Sequence, residues 1–229
     1  HRNNVRLARA MAEKGKWVLR FDLSGHGDSR PALGGLGPRE QAVADLKSAM
    51  DCLSDKFGID RFCLIGLCSG AVHSYWTALQ DERVVGLFMM DGFWYRTWLT
   101  KPIQYWKRMI QLGLIGVVSR VFQYWRAPKT DHSVGLNDDY LSNPPIDDFV
   151  VGMRKLVDRG VKIKLLYSGS VLDVYSYAKQ FQHAFGRHDW CAAVTCSYRP
   201  DIDHTLISKD AQRAFIDEVR DWAPVSREA

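Results

Sequence analysis

Apolar residues recur at helical spacing from Val5 to Lys14 (Val5, Leu7, Ala8, Met11, Ala12) and stop at Gly15, which predicts an amphipathic helix. The run Trp17-Val18-Leu19-Arg20-Phe21-Asp22-Leu23 then predicts a buried strand. It ends in Ser24-Gly25-His26-Gly27-Asp28-Ser29, which can continue neither regular structure. A second amphipathic helix is predicted over 38–57, with Pro38 at its start and Gly58 just beyond its end. Strand 61–67, helix 69–80 and strand 84–90 follow. After a break the pattern resumes with strand 161–167, helix 174–185, strand 191–198 and a last helix over 205–222. Strands that alternate with helices predict an α/β fold with a mainly parallel sheet flanked by helices.

The break runs from about Asp91 to Arg159. It is rich in aromatic residues (Trp94, Tyr95, Trp98, Tyr105, Trp106, Phe122, Tyr124, Trp125) and reads as helical over 102–112 and 116–125. Through Asn143-Pro144-Pro145 it reads as loop. The chain is therefore expected to divide into a first core part (1–91), an aromatic-rich lid insertion (92–160) and a second core part (161–229). Trp94, Tyr95 and Trp98 are the lid residues expected to wall an apolar substrate pocket.

Composition narrows this picture only slightly. The 229 residues, 46% of them hydrophobic, suffice for one substantial core. The formal charge of +5 is scattered, which argues against a nucleic-acid partner. No apolar run reaches the roughly 18 residues of a membrane span. The five cysteines (52, 63, 68, 191, 196) form no Cys-x-x-Cys pair and no metal-ligand spacing, so most read as plain buried thiols in a reducing cytoplasm. Asp131, Asp138, Asp139, Asp147 and Asp148 match no cation-binding loop and read as solvated loop acids. No metal or cofactor is expected.

Candidate chemistry sits at Gly66-Leu67-Cys68-Ser69-Gly70, directly after a predicted strand and directly before a predicted helix. Glycines two residues either side of Cys68 let strand and helix pass closely. The turn between them places the thiol at a helix N-terminus, where the macrodipole favours an anion. With Ser69 as nucleophile the flanking small residues would fall out of frame.

This pattern resembles the nucleophile elbow of the α/β-hydrolases, with cysteine in the place usually held by serine. The whole chain is similar to that superfamily, on the elbow, on the segment Arg20-x-Asp22-x-x-Gly25-x-Gly27-x-Ser29, and on Asp203-His204. More narrowly it resembles bacterial hydrolases with Gly-Leu-Cys elbows, some found beside exosortase genes. In its order of nucleophile, acid and histidine it is similar to dienelactone hydrolases, which lack such a lid. The resemblance implies an eight-stranded sheet of which this sequence supplies the last five strands, the N-terminal strands being expected to be missing.

It also implies a Cys-His-Asp triad whose members follow along the chain in the order nucleophile, acid, histidine. His204 stands after the last predicted strand and before the last helix. The other six histidines precede the elbow or fall in the elbow helix, the insertion or the stretch before the last strand. Asp173 is the carboxylate in the loop after strand 161–167, with Asp201 and Asp203 as competitors close to the histidine. Asp203 otherwise caps the final helix or the turn before it. The Ser69 amide is the first oxyanion donor. The expected activity is hydrolysis of an acyl ester or thioester through an acyl-enzyme, the acyl group carried on a small molecule, CoA or an acyl-carrier protein. An acyltransferase or cyclase on the same triad, and a non-catalytic ligand-binding protein of this fold, are the alternatives.

Overall fold

The computed structural model describes residues 2–107, 109–110 and 142–223. Predicted helix 116–125, with Phe122, Tyr124 and Trp125, lies outside them, as do His132, Asp131, Asp138 and Asp139.

The described elements are α1 (Arg2–Ala12), α2 (Pro38–Phe57), β1 (Phe62–Leu67), α3 (Ser69–Gln80), β2 (Val84–Met90), α4 (residues 100–107), α5 (Ile146–Asp158), β3 (Lys162–Ser168), α6 (Gln180–Phe185), β4 (Val194–Arg199) and α7 (Lys209–Trp222). Four strands form one parallel sheet in the order β1-β2-β3-β4. β2 lies inside it and is buried almost throughout, as a strand covered on both faces should be. Its side chains alternate between two cores. Leu87 and Met89 join Tyr75, Phe149, Met153 and Tyr167 on the face covered by α3 and α5. Phe88 and Met90 join Leu166, Phe215, Val219 and Trp222 on the face covered by α1 and α7.

Boundaries follow local chemistry closely for α2. Pro38 opens the helix, and Gly58 closes it in the left-handed region at φ 66°, its amide bonded to Ser54 O. Elsewhere the structure corrects the pattern. Residues 17–23 form no strand, and Trp17 is 70% exposed. The Trp17 ring rests on Phe57, with centroids 4.7 Å apart. An apolar run becomes a strand only when a neighbouring backbone accepts its ladder, and these residues pair with none among those described. Helix 174–185 shortens to α6. Strand 191–198 begins only at Val194, after a 3₁₀ turn over Asp189–Ala193. The last helix starts at Lys209, capped by Ser208 Oγ accepting from the Ala211 amide at 3.0 Å. Residues 146–158, which the pattern left inside the insertion, form α5 and bury Phe149, Gly152, Met153 and Leu156. Asp147 and Asp148 stand in its first turn, where they complement the helix dipole rather than belonging to a loop.

Lys164 of β3 faces α7 and meets Glu218 at 2.6 Å, while Arg199 of β4 reaches the other Glu218 oxygen at 2.9 Å. Burial pushes the Glu218 carboxyl up, but the hydrogen bonds from Lys164 and Arg199 outweigh it and hold the group below its usual range. A depressed folded-state value contributes stability above the ordinary carboxylate range, and that stability is lost as pH falls through the lower value. Glu218→Gln is expected to cost about 2 kcal/mol at pH 7. In urea unfolding at successive pH values, the gap to the parent should close on acidification below about pH 4. A gap that stayed constant with pH would contradict the assignment.

Candidate active site

Cys68 stands between β1 and α3 at φ 55° and ψ −119°, a conformation that L-residues rarely adopt. Two features fix it there. Its amide donates to Met90 O at 2.9 Å, which ties the turn to the end of β2, and its carbonyl accepts from the Ala71 and Val72 amides. Strand and helix also pass at backbone contact. A Cβ on Gly66 would run into the carbonyl of Gly70 and the nitrogen of Ala71. The same test at Gly70 meets nothing, so only the first glycine is sterically required. Ser69 is the first residue of α3, and its amide has no intrahelical acceptor.

The cysteines are all free, and none is buried. Cys52, Cys63 and Cys68 are exposed and Cys191 and Cys196 are half-buried, against the expectation of buried thiols. Cys196 lies under the Tyr175 hydroxyl, and desolvation of its sulfur pushes that thiol up to about 12. Desolvation raises Cys191 as well.

The His204 ring donates from Nδ1 to Asp91 Oδ2 at 2.8 Å. Asp91, not Asp173, is thus the carboxylate on the histidine. It follows the last residue of β2 at φ 49°, and its side chain is fully buried. The other carboxylate oxygen, Oδ1, accepts from the Ser168 amide at 2.8 Å, and its own amide donates to Leu166 O. With a carboxylate on Nδ1, that nitrogen carries the ring proton and leaves Nε2 as an acceptor. His204 is 31% exposed, so this nitrogen can be reached from solvent. Among the described residues neither Nε2 nor the Cys68 thiol has a hydrogen-bond partner.

Sheet register explains why the acid sits on β2. Leu67 pairs with Met90 and Met90 with Leu166, so Cys68 and Asp91 are the next residues beyond adjacent strand ends. Adjacent parallel strands lie about 4.8 Å apart. Asp173 is exposed on the following loop. Its carbonyl accepts from Gln104 Nε2 and, at 3.5 Å, from Arg96 Nη2, so it receives α4 and the segment before it. Asp201 pairs with Arg199 at 2.7 Å. Asp203 organises the turn before α7 by accepting from the Thr205 amide and hydroxyl and the Ile207 amide. The sequence did hold a signal for Asp91: a lone acid between an apolar strand and Gly92, one strand over from the elbow.

The expected lid residues separate. Trp94 exchanges two hydrogen bonds between its backbone and the Asn143 side-chain amide. Tyr95 donates to Pro144 O at 2.8 Å and packs on Phe149 and Phe185. Both therefore tie the segment after β2 to the segment before α5. Burial raises the Tyr95 hydroxyl well above its ordinary value. Trp98 is 81% exposed. A cleft of about 330 Å³ lined by Lys164, Arg199, Arg213 and Glu218 lies along α7, with none of the triad candidates in its wall.

A family model described as serine aminopeptidase, S33, matches residues 2–168, a span that includes Cys68 and Asp91 and ends before His204. No curated protein matches the chain. Among solved structures it is similar to one from a study of carboxylesterases of the thaumarchaeon Nitrososphaera gargenis, at 14% identity and a TM-score of 0.45, covering 87% of this chain and 78% of that one. It is also similar to DcsB in complex with its substrate analogue, at 16% identity and a TM-score of 0.40, covering 88% of this chain and 77% of that one. No helix among the described residues is long and apolar enough to cross a membrane. With a parallel sheet, a strained strand-to-helix turn at Cys68 and the matched span, the chain belongs to the serine aminopeptidase S33 family of α/β-hydrolases.

Proposed function

We propose that this protein is a cysteine-dependent α/β-hydrolase that cleaves an activated acyl ester or thioester through a Cys68–His204–Asp91 triad. The observation that carries the proposal is the buried Asp91 carboxylate bonded to His204 Nδ1 at 2.8 Å, one strand from the strained Cys68 turn. In this reading His204 Nε2 takes the thiol proton as sulfur attacks the acyl carbonyl. The Ser69 amide, at the start of α3, donates to the oxygen that becomes negative. Collapse of the tetrahedral intermediate expels the alcohol or thiol leaving group, which collects the proton from His204. Water, deprotonated by the same nitrogen, then releases the free acid and the thiol. Asp91 holds the ring in the Nδ1–H tautomer throughout and stabilises the imidazolium.

Activated acyl groups suit a sulfur nucleophile because their leaving groups depart easily. A small acyl thioester, on CoA or an acyl-carrier protein, is the proposed substrate class. A reducing cytoplasm, which keeps a reactive thiol unpaired, is the proposed location. Substrate-binding roles for Trp94, Tyr95 and Trp98 belong to this proposal, for Trp94 and Tyr95 through the segments they tie together.

The test is turnover of a panel of short- and long-chain acyl thioesters and aryl esters by the parent and by Cys68→Ala, with free thiol and free acid both measured. Loss of about 10³-fold or more in the variant is expected. Equal release of acid by both proteins would sink the proposal. Transfer of the acyl group to an added amine or alcohol in place of water would identify a transferase on the same residues.

A further inference from the structure

One tripeptide at the end of β3 touches both halves of the histidine–carboxylate pair. The Ser168 amide holds Asp91 Oδ1 at 2.8 Å. Two residues on, the Ser170 hydroxyl accepts the His204 amide at 2.9 Å. Between them, Gly169 donates its amide to Ile202 O at 2.9 Å. It lies so close beneath Pro200 that a Cβ would strike the Pro200 carbonyl. Ser168 Oγ accepts from the Ser170 amide at 3.3 Å and closes the turn on itself. Followed through the ring bond from His204 to Asp91, these contacts form a closed circuit: carboxylate, Ser168, Ser170, His204 backbone, imidazole, carboxylate.

The histidine loop needs such a tie. Ile202 and Leu206 are buried, at 1% and 3% exposure, and anchor it at two points. Leu206 is held at φ 52°, so the loop is bent tightly between the anchors. His204 lies on the solvent side of that bend. Ser170 accepts from its peptide, and the orientation of that peptide sets the direction in which the ring leaves the chain.

We propose that Ser170 is a positioning residue: its hydroxyl fixes the His204 peptide so that the ring meets Asp91 and presents Nε2. The inference rests on the triad reading given above. It differs from an ordinary loop contact in what it moves, because loss of the hydroxyl should free the ring without unfolding the exposed turn.

The test compares the parent with Ser170→Ala, Ser170→Thr and Asp91→Asn. The direct readout is the His204 Nδ1–H proton in ¹H NMR, which needs no substrate. It should be present in the parent and in Ser170→Thr. In Ser170→Ala it should be broadened by exchange, and in Asp91→Asn it should be absent. The rate of Cys68 alkylation by iodoacetamide as a function of pH should shift in Ser170→Ala and return in Ser170→Thr, with the unfolding midpoint of each near the parent's. Where substrate turnover is measurable, kcat of Ser170→Ala should fall about tenfold, as loss of one hydrogen bond implies, with KM little changed. A parent-like proton signal and alkylation profile in Ser170→Ala would overturn the inference and leave the triad standing. Absence of the signal from the parent would overturn it too. A signal that behaves as expected in a protein that turns over no acyl substrate would leave the positioning role intact and remove the hydrolase reading.

Discussion

Asp91→Asn is expected to lower kcat by about 10³ to 10⁴ while leaving the fold in place. The sign follows from the two bonds the carboxylate makes. Its Oδ1 accepts from the Ser168 amide, a donor that the backbone cannot remove. An asparagine at this position would keep its carbonyl oxygen there and turn its NH₂ group toward His204. Facing a donor, Nδ1 of the imidazole must become the acceptor, which moves the ring proton to Nε2. That nitrogen then cannot take a proton from Cys68. Asp173→Asn, at an exposed position whose carbonyl accepts from Gln104 and Arg96, should stay within about threefold of the parent. Steady-state kinetics on one acyl thioester decides between the two acids. A large loss in Asp173→Asn with a parent-like Asp91→Asn would restore the acid expected from the sequence and contradict the Asp91 assignment.

Gly66→Ala carries the second large effect, and here the readout is stability. The added methyl would meet the backbone of Gly70 and Ala71 rather than a side chain that can swing away. Relief requires β1 and α3 to separate. Both are packed into the same core, where Ala71, Val72 and Tyr75 have almost no exposed surface. We expect a loss of more than about 3 kcal/mol, or failure to accumulate as folded protein. Gly70→Ala is the internal control. A Cβ there meets nothing within 4 Å. Alanine also improves a helix by about 0.5 to 1 kcal/mol, so this variant should unfold at equal or higher urea. Equal destabilisation by both substitutions would mean that the close crossing at Gly66 does not exist.

These two predictions mark what the sequence made legible and what it did not. The elbow was legible because its requirement is local: a glycine, a reactive residue and a helix start within five positions. α2 was legible for the same reason, bounded by Pro38 and Gly58. His204 lies where the pattern put it, in the loop between the last strand and the last helix. Asp91 was not legible by that logic. Its role depends on which strand ends lie side by side, and sheet register is a property of the whole fold. In sequence it reads as the last residue of the first core part, 113 positions from the ring it holds. Residues 17–23 failed in the opposite direction. Their apolar pattern satisfies every local rule for a strand, yet a strand needs a partner backbone, which no local rule supplies. α5 is hidden in the sequence by its position behind Asn143-Pro144-Pro145, whose prolines suggest loop.

The central claim is that Cys68 carries the acyl group. It is tested most directly by intact-mass analysis and peptide mapping of the protein quenched within seconds of mixing with an acyl thioester. The account predicts one acyl group per chain, mapped to the peptide containing Cys68 and absent from Cys68→Ala. An acyl group on Ser69 or on another cysteine, or turnover retained in Cys68→Ala, would contradict it.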